Sequence, residues 1–138
     1  MIKRSETSHA WYIVDADEKI LGRLATKVAF LLSGKNRVDF TPHVDNGAGV
    51  IVTNCDKIRV TGNKVKEKIY TSYSGYPGGL KRTTFQDMSI RKPKYILRHA
   101  VKGMLPKTRL GALMLKRLKL YCGTEQPHLA QKPVKVEI

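Results

Sequence analysis

Tyr73 and Tyr76, set among Gly75, Gly78 and Gly79 and closed by Lys81 and Arg82, form the stretch of this chain best equipped to hold an anion. The run reads YSGYPGGLKR over residues 73–82. Glycine lets a backbone approach phosphate closely, tyrosine rings offer flat faces to unpaired bases or sugars, and the Lys-Arg pair supplies charge. A nucleotide cradle fits less well, because a P-loop needs G-x-x-x-x-G-K-[ST] between a strand and a helix, and GYPGGLKR lacks that spacing. G-x-G-x-x-G is absent, and Pro77 removes a backbone donor that a phosphate nest would use. GYPG also matches the G-x-x-G of a KH module, but that loop joins two helices and this one follows a strand pattern. The chemistry expected is contact with an extended polyanion.

Catalytic constellations are poor by comparison. The histidines, His9, His43, His99 and His128, are widely spaced, with no H-x-x-x-H and no neighbouring cysteine nucleophile. No G-x-S-x-G occurs. HVDNG at 43–47 reads as turn chemistry and DADE at 15–18 as a strand end approaching a helix N-terminus, where negative charge is favoured. An RNA-acting enzyme would have to draw on His43, Asp45 or His128. Cys55 and Cys122 stand far apart in sequence with no C-x-x-C, which supports neither zinc ligation nor a disulfide framework. Both read as buried small apolar residues in a reducing compartment. No metal, cofactor or small-molecule substrate is expected.

The charge is concentrated where those anion-binding residues lie. The formal net charge is +15 over 138 residues, and 41% of residues are hydrophobic, so a folded body must sit beneath the charge. Residues 57–119 hold 17 basic side chains against only Glu67 and Asp87, which is the whole of the excess; the segments on either side are neutral. Like charge at this density repels itself unless an anion neutralises it, so the partner is acidic: nucleic acid before membrane. The N-terminal MIKRSETSHAWYIVD lacks the apolar core of a secretory signal, and no run approaches the ~20 apolar residues of a membrane span. A soluble intracellular protein with no membrane partner is expected.

The elements that must position these residues follow from periodicity. Trp11–Val14 reads as a buried strand, and Leu21, Leu24, Ala25, Val28, Leu31 and Leu32 make one stripe of a helix capped by Gly34, with Arg23 and Lys27 opposite. Phe30 interrupts the polar face and suggests a second layer over it. VIVTN at 50–54 reads as a second buried strand, KIRVTG at 57–62 as another strand or an edge, and KEKIYTSY as a further strand leading into the loop. Helical pattern resumes after Thr84, restarts with Pro93 in a first turn before Ile96, Leu97, Ala100, Val101 and Met104, and halts at Pro106. Leu110, Leu113, Met114 and Leu118 form the next stripe, with Arg109, Lys116 and Lys119 opposite and Arg117 intruding on the apolar arc, either snorkelling or marking an early helix end. The expectation is one α/β domain over 1–138, three layers α/β/α about a small, mostly parallel sheet, with basic C-terminal helices. Residues 1–9 form an N-terminal extension and 124–138 a tail wrapping the surface. The last two helices and their short joint also admit a helix-turn-helix DNA-binding regulator, although Pro106 suits its turn badly and the charge spreads wider than one recognition helix requires.

Three blocks carry a resemblance: VDADEKILGRLATKVAFLLSGK at 14–35, YTSYSGYPGGLK at 70–81 and AVKGMLPKTRLGALMLKRLKLYCG at 100–123. Together with TPHVDNG and VTGNK between them, they closely resemble the bacterial and organellar L-thirteen family of large-subunit ribosomal proteins, over about residues 10–138. The resemblance implies an α/β/α fold, no enzyme activity, and a place on the large-subunit rRNA among neighbouring large-subunit proteins, where the family joins early in assembly. It implies a cytoplasmic ribosome, with an organellar one left open. Gly75, Gly78, Gly79 and Lys81, and the block Lys102–Lys107, match the family residue by residue. Tyr73 departs from it, standing where His is usual, as do Cys55 and Cys122 at common Ala positions and Gln126 and Leu129 within EHPHAAQ. The candidate RNA-binding set on the loop side is Lys64, Tyr73, Tyr76, Gly78, Gly79, Lys81 and Arg82. On the helical side it is Arg98, Lys102, Lys107, Arg109, Lys116 and Lys119.

Overall fold

The computed structural model describes residues 8–138. Strand β1 (Trp11–Asp15) leads into helix α1 (Leu21–Ser33), which leads into β2 (Gly49–Thr53). The two strands pair in parallel, with Tyr12 opposite Val50 and Val14 opposite Val52. Helix α1 forms where its stripe predicts and stops at Gly34, whose φ of 76° is a left-handed cap that glycine adopts without strain. A short helix α2 (Lys64–Glu67) precedes strands β3 (Ile69–Tyr73) and β4 (Leu80–Thr84). Helices α3 (Phe85–Arg91), α4 (Pro93–Met104) and α5 (Arg109–Lys116) follow, then β5 (Leu118–Leu120) and β6 (Val134–Lys135).

The main sheet runs β5-β2-β1-β6, every pairing parallel. Alternation puts Val14, Val50, Val52, Leu118 and Leu120 on one face, where they join Leu24, Val28 and Leu32 of α1, Ile96, Leu97 and Val101 of α4 and Met114 of α5 in a single core. Right-handed crossovers that move outward in one direction, β1 to β2 to β5, keep those three helices on that one face. The return from β5 to β6, at the opposite edge, takes the other face. There the C-terminal segment supplies the third layer, with one 3-10 turn at Leu129–Gln131 and His128 stacked on Trp11 at 6.0 Å. Trp11 lies flat over Gly49, where a β-carbon would come within 2.5 Å of the indole.

Several expectations are corrected. KIRVTG at 57–62 is not a strand: after the 3-10 turn Cys55–Lys57 it makes one isolated parallel bridge, Arg59 with Ile20, just before α1 and outside the sheet. Strand β4 takes up residues 80–82, assigned to the loop, together with Thr83 and Thr84, and with β3 it makes an antiparallel hairpin separate from the main sheet. LKRTT has no apolar alternation of its own, so its partner makes it a strand. Helix α5 ends at Lys116, one turn earlier than its stripe suggests, which moves Leu118 and Lys119 onto β5. Phe30 remains 46% exposed, with no second layer over it among the described residues, and Cys122 is exposed while Cys55 alone is buried. The extension expected at 1–9 lies outside the described residues except for Ser8 and His9.

Candidate nucleic-acid interface

Helix α4 organises the charged surface because its three faces do different work. Ile96, Leu97 and Val101 turn into the core. Lys94, Arg98 and Lys102 recur every four residues and so stand in one row, about 6 Å apart along the axis. Tyr95 and His99 form a third face. Like charges at i,i+4 destabilise an isolated helix by about 0.2–0.5 kcal/mol per pair, so the row is built for something that neutralises it.

Between α4 and the α5–β5 corner runs a trough made of two joined grooves. The first, about 990 Å³, is lined by Arg91, Lys92, Lys94, Arg98, Lys116 and Lys119. The second, about 610 Å³, shares Arg98 and Lys116 and continues past Lys102 and Lys107. Among the described residues, not one Asp or Glu lines either groove. The apolar floor includes Leu115, Leu118 and Leu120, which tie the trough to the core. Thr108 starts α5 by accepting a hydrogen bond from the Gly111 N–H at 3.3 Å, and a β-carbon at Gly111 would come within 1.8 Å of the Pro106 carbonyl oxygen. That close approach fixes the turn bearing Lys107 against the helix bearing Lys116.

The trough gathers Arg98, Lys102, Lys107, Lys116 and Lys119 from the sequence-based set. Arg109, at the start of α5, is exposed but lines neither groove. Lys64 on α2, Tyr73 at the end of β3, Tyr76, Gly78 and Gly79 at the hairpin tip, and Lys81 and Arg82 on β4 form a second patch. The tip is open: Tyr76 is 74% exposed, and Gly75 and Gly78 adopt φ of 88° and 71° with no neighbour near. Tyr70 mounts this hairpin on α4, meeting Tyr95 and His99 edge-on at 5.8 and 5.4 Å, and burial raises its phenol pKa above the usual value. Sequence reasoning missed Arg91, Lys92 and Lys94, although RKPK, three cations around one proline, was a local signal for them.

Arg117 belongs to neither patch. Its guanidinium forks onto both carboxylate oxygens of Asp45 and donates to the carbonyls of Leu32 at 3.0 Å and Ala48 at 3.2 Å. It therefore joins the end of α1, the 45–48 turn and the α5–β5 corner, where it caps α5 in right-handed helical conformation. At the other end of the strands, Asn54 donates to Asp15 at 2.8 Å, which holds that carboxyl below its ordinary pKa. Glu18 pairs with Arg59 at 2.5 Å instead of lying on the first turn of α1.

The described residues thus form an α/β scaffold that displays a cationic trough and an exposed hairpin bearing Tyr73 and Tyr76, and no three metal-ligating side chains cluster among them. The family profile described as "Ribosomal protein L13" matches residues 9–127, and the chain belongs to that family, whose members are structural ribosomal proteins and not enzymes. It is 55% identical over 136 residues to "Large ribosomal subunit protein uL13" of Psychrobacter cryohalolentis, covering 99% of this chain and 96% of the relative. It is 51% identical to the protein of that description from Thermoanaerobacter pseudethanolicus over 138 residues, 100% of this chain and 96% of the relative. The corresponding Spiroplasma citri protein is 49% identical over 138 residues, 100% and 94% of the two chains. No helix among the described residues is long and apolar enough to cross a membrane.

Proposed function

We propose that this chain is a structural constituent of the large ribosomal subunit that binds large-subunit rRNA through its trough and hairpin and helps the subunit assemble. The observation that carries the reading is the run of cations along the α4–α5–β5 trough without an intervening carboxylate. Lysine and arginine there release counterions from phosphates, while the single core beneath holds their spacing, so backbone and shape are read more than sequence. In this reading residues 1–138 act as one domain on a cytoplasmic ribosome, an organellar one remaining open, in contact with neighbouring large-subunit proteins. A helix-turn-helix regulator is less well supported, because the cations are shared among α3, α4, α5 and β5 instead of gathered on one recognition helix.

The test is competition binding of the full chain to deproteinised large-subunit rRNA against duplex DNA and unstructured RNA, with subunit reconstitution that omits the chain. Preference for the folded rRNA, and accumulation of an incomplete particle on omission, are the expected outcomes. Equal affinity for all three nucleic acids, or normal particles without the chain, would overturn the reading.

A further inference from the structure

The hairpin has two unlike faces. In an antiparallel pair, cross-strand partners share a face and successive residues alternate. The register Thr71–Arg82 and Tyr73–Leu80 places those four residues on one side with Ile69, while Tyr70–Thr83 and Ser72–Lys81 occupy the other. The second side is docked on α4 through the buried Tyr70. The first is open: Tyr73 is 67% exposed, and Ile69 and Leu80 are about half exposed. A two-stranded ribbon is marginal in water on its own, so an aromatic and two aliphatic side chains aligned on its free face call for an occupant.

We propose that this outer face binds unpaired RNA nucleotides, a base stacking on Tyr73 while Arg82, one cross-strand step along the same face, meets the adjoining phosphate. The inference rests on the rRNA reading above and says which part of the RNA the hairpin takes. Charge complementarity selects RNA over a protein segment: Lys64, Lys66 and Lys68 stand just before the hairpin and Lys81 and Arg82 on it, with Glu67 the only acid between residues 57 and 86. Every base has a π-face, so stacking of this kind tolerates sequence and requires only that the base be unpaired. The trough has rings as well, but they are already engaged, Tyr95 and His99 with each other and with Tyr70, and Tyr121 with His128 and Lys94, so it suits the backbone of a folded segment.

The experiment uses the full chain with two RNA probes of equal length, a fully paired duplex and a stem whose loop carries unpaired adenosines, one of them replaced by 2-aminopurine. Quenching of the reporter and affinity are read for the native chain, Tyr73→Leu and Tyr73→Phe. Tyr73→Leu should lose the quench and weaken the looped RNA by about 5- to 150-fold, leave the duplex unchanged, and be reversed by Tyr73→Phe. Tyr73 contributes little to the core, and unchanged duplex affinity doubles as a folding control. Equal effects on both probes, or none on either, would remove unpaired bases from the hairpin while leaving the rRNA reading in place. Failure of the native chain to bind either RNA would sink both. Reconstituted particles of Tyr73→Leu that lack a neighbouring protein, with looped-RNA affinity unchanged, would assign the face to protein and overturn the inference.

Discussion

Replacing Arg91, Lys92 and Lys94 together by Ala removes three of the eight cations that line the trough. Each cation seated on a phosphate contributes about −0.9 to the slope of log K against log salt, so eight seated cations give a slope near −7 and the triple variant one near −4.5. Between 50 and 200 mM salt the native chain should then lose about 10⁴ in affinity for large-subunit rRNA, and the variant only about 500-fold. All three residues are exposed, and the one specific contact among their charged groups is Lys94 Nζ over the Tyr121 ring at 5.6 Å, worth about 0.5–1 kcal/mol. The fold should survive, which far-ultraviolet circular dichroism would check. Filter binding or fluorescence anisotropy across a salt series supplies the slope. A variant slope within error of the native one would mean that this end of the trough never meets phosphate, and the argument from its charge would fail.

Further outcomes follow from individual contacts. Arg117→Met should destabilise the chain by about 3 kcal/mol, the lower end of the range for a broken buried pair because Arg117 and Asp45 keep 12% and 17% side-chain exposure, and should lower Tm by about 10 °C. A double-mutant cycle with Asp45→Asn that returns a coupling under about 0.5 kcal/mol would contradict this. One thiol should react with a disulfide reagent in the native state and two in urea, since burial holds Cys55 as a thiol, with its pKa pushed up to about 12, while Cys122 is exposed. Asn54→Ala should raise the Asp15 pKa toward its ordinary value, read by NMR titration. Because the native carboxyl is depressed, its stabilising contribution is present above the unfolded pKa and fades as pH falls through the lower folded one. The variant should therefore lose part of the acid-limb slope of stability below about pH 4.

What the sequence disclosed, and what it hid, divides along physical lines. Helices α1 and α4 and strands β1 and β2 were legible because each buries a face, and burial imposes a period. Strand β4 was not, since LKRTT is exposed or half-buried along its whole length and owes its conformation to β3. Strand β6 was missed for a like reason: Val134–Lys135 is two residues held at the edge by pairing with Tyr12 and Ile13. The cationic region was visible as an excess of charge with a loop side and a helical side, but not the partition of the helical side into trough wall and inward-facing Arg117, because that depends on where α5 stops. Resemblance to a family named the partner class and left that partition equally open.

The end of α5 is where charge and packing meet. Lys116, Arg117 and Lys119 are three cations within four residues, and nothing in their composition separates them. Geometry does. Arg117, still in right-handed helical conformation at the end of α5, closes on Asp45 and the Leu32 and Ala48 carbonyls. The helix stops there, so Leu118 and Leu120 start β5 in register with Val50 and Val52. Lys116 and Lys119 are thereby left on the trough wall with Arg98, next to an ion pair that lies outside both grooves. It follows that Arg117→Met, in the fraction that stays folded, should weaken RNA binding without reducing the salt slope by a full unit, whereas Lys116→Ala should reduce it by about 0.9 and leave Tm almost unchanged. If Arg117→Met instead lowered the slope by a full unit with no loss of stability, Arg117 would be a phosphate ligand, and the inward-turned geometry would not be the one that works on the RNA.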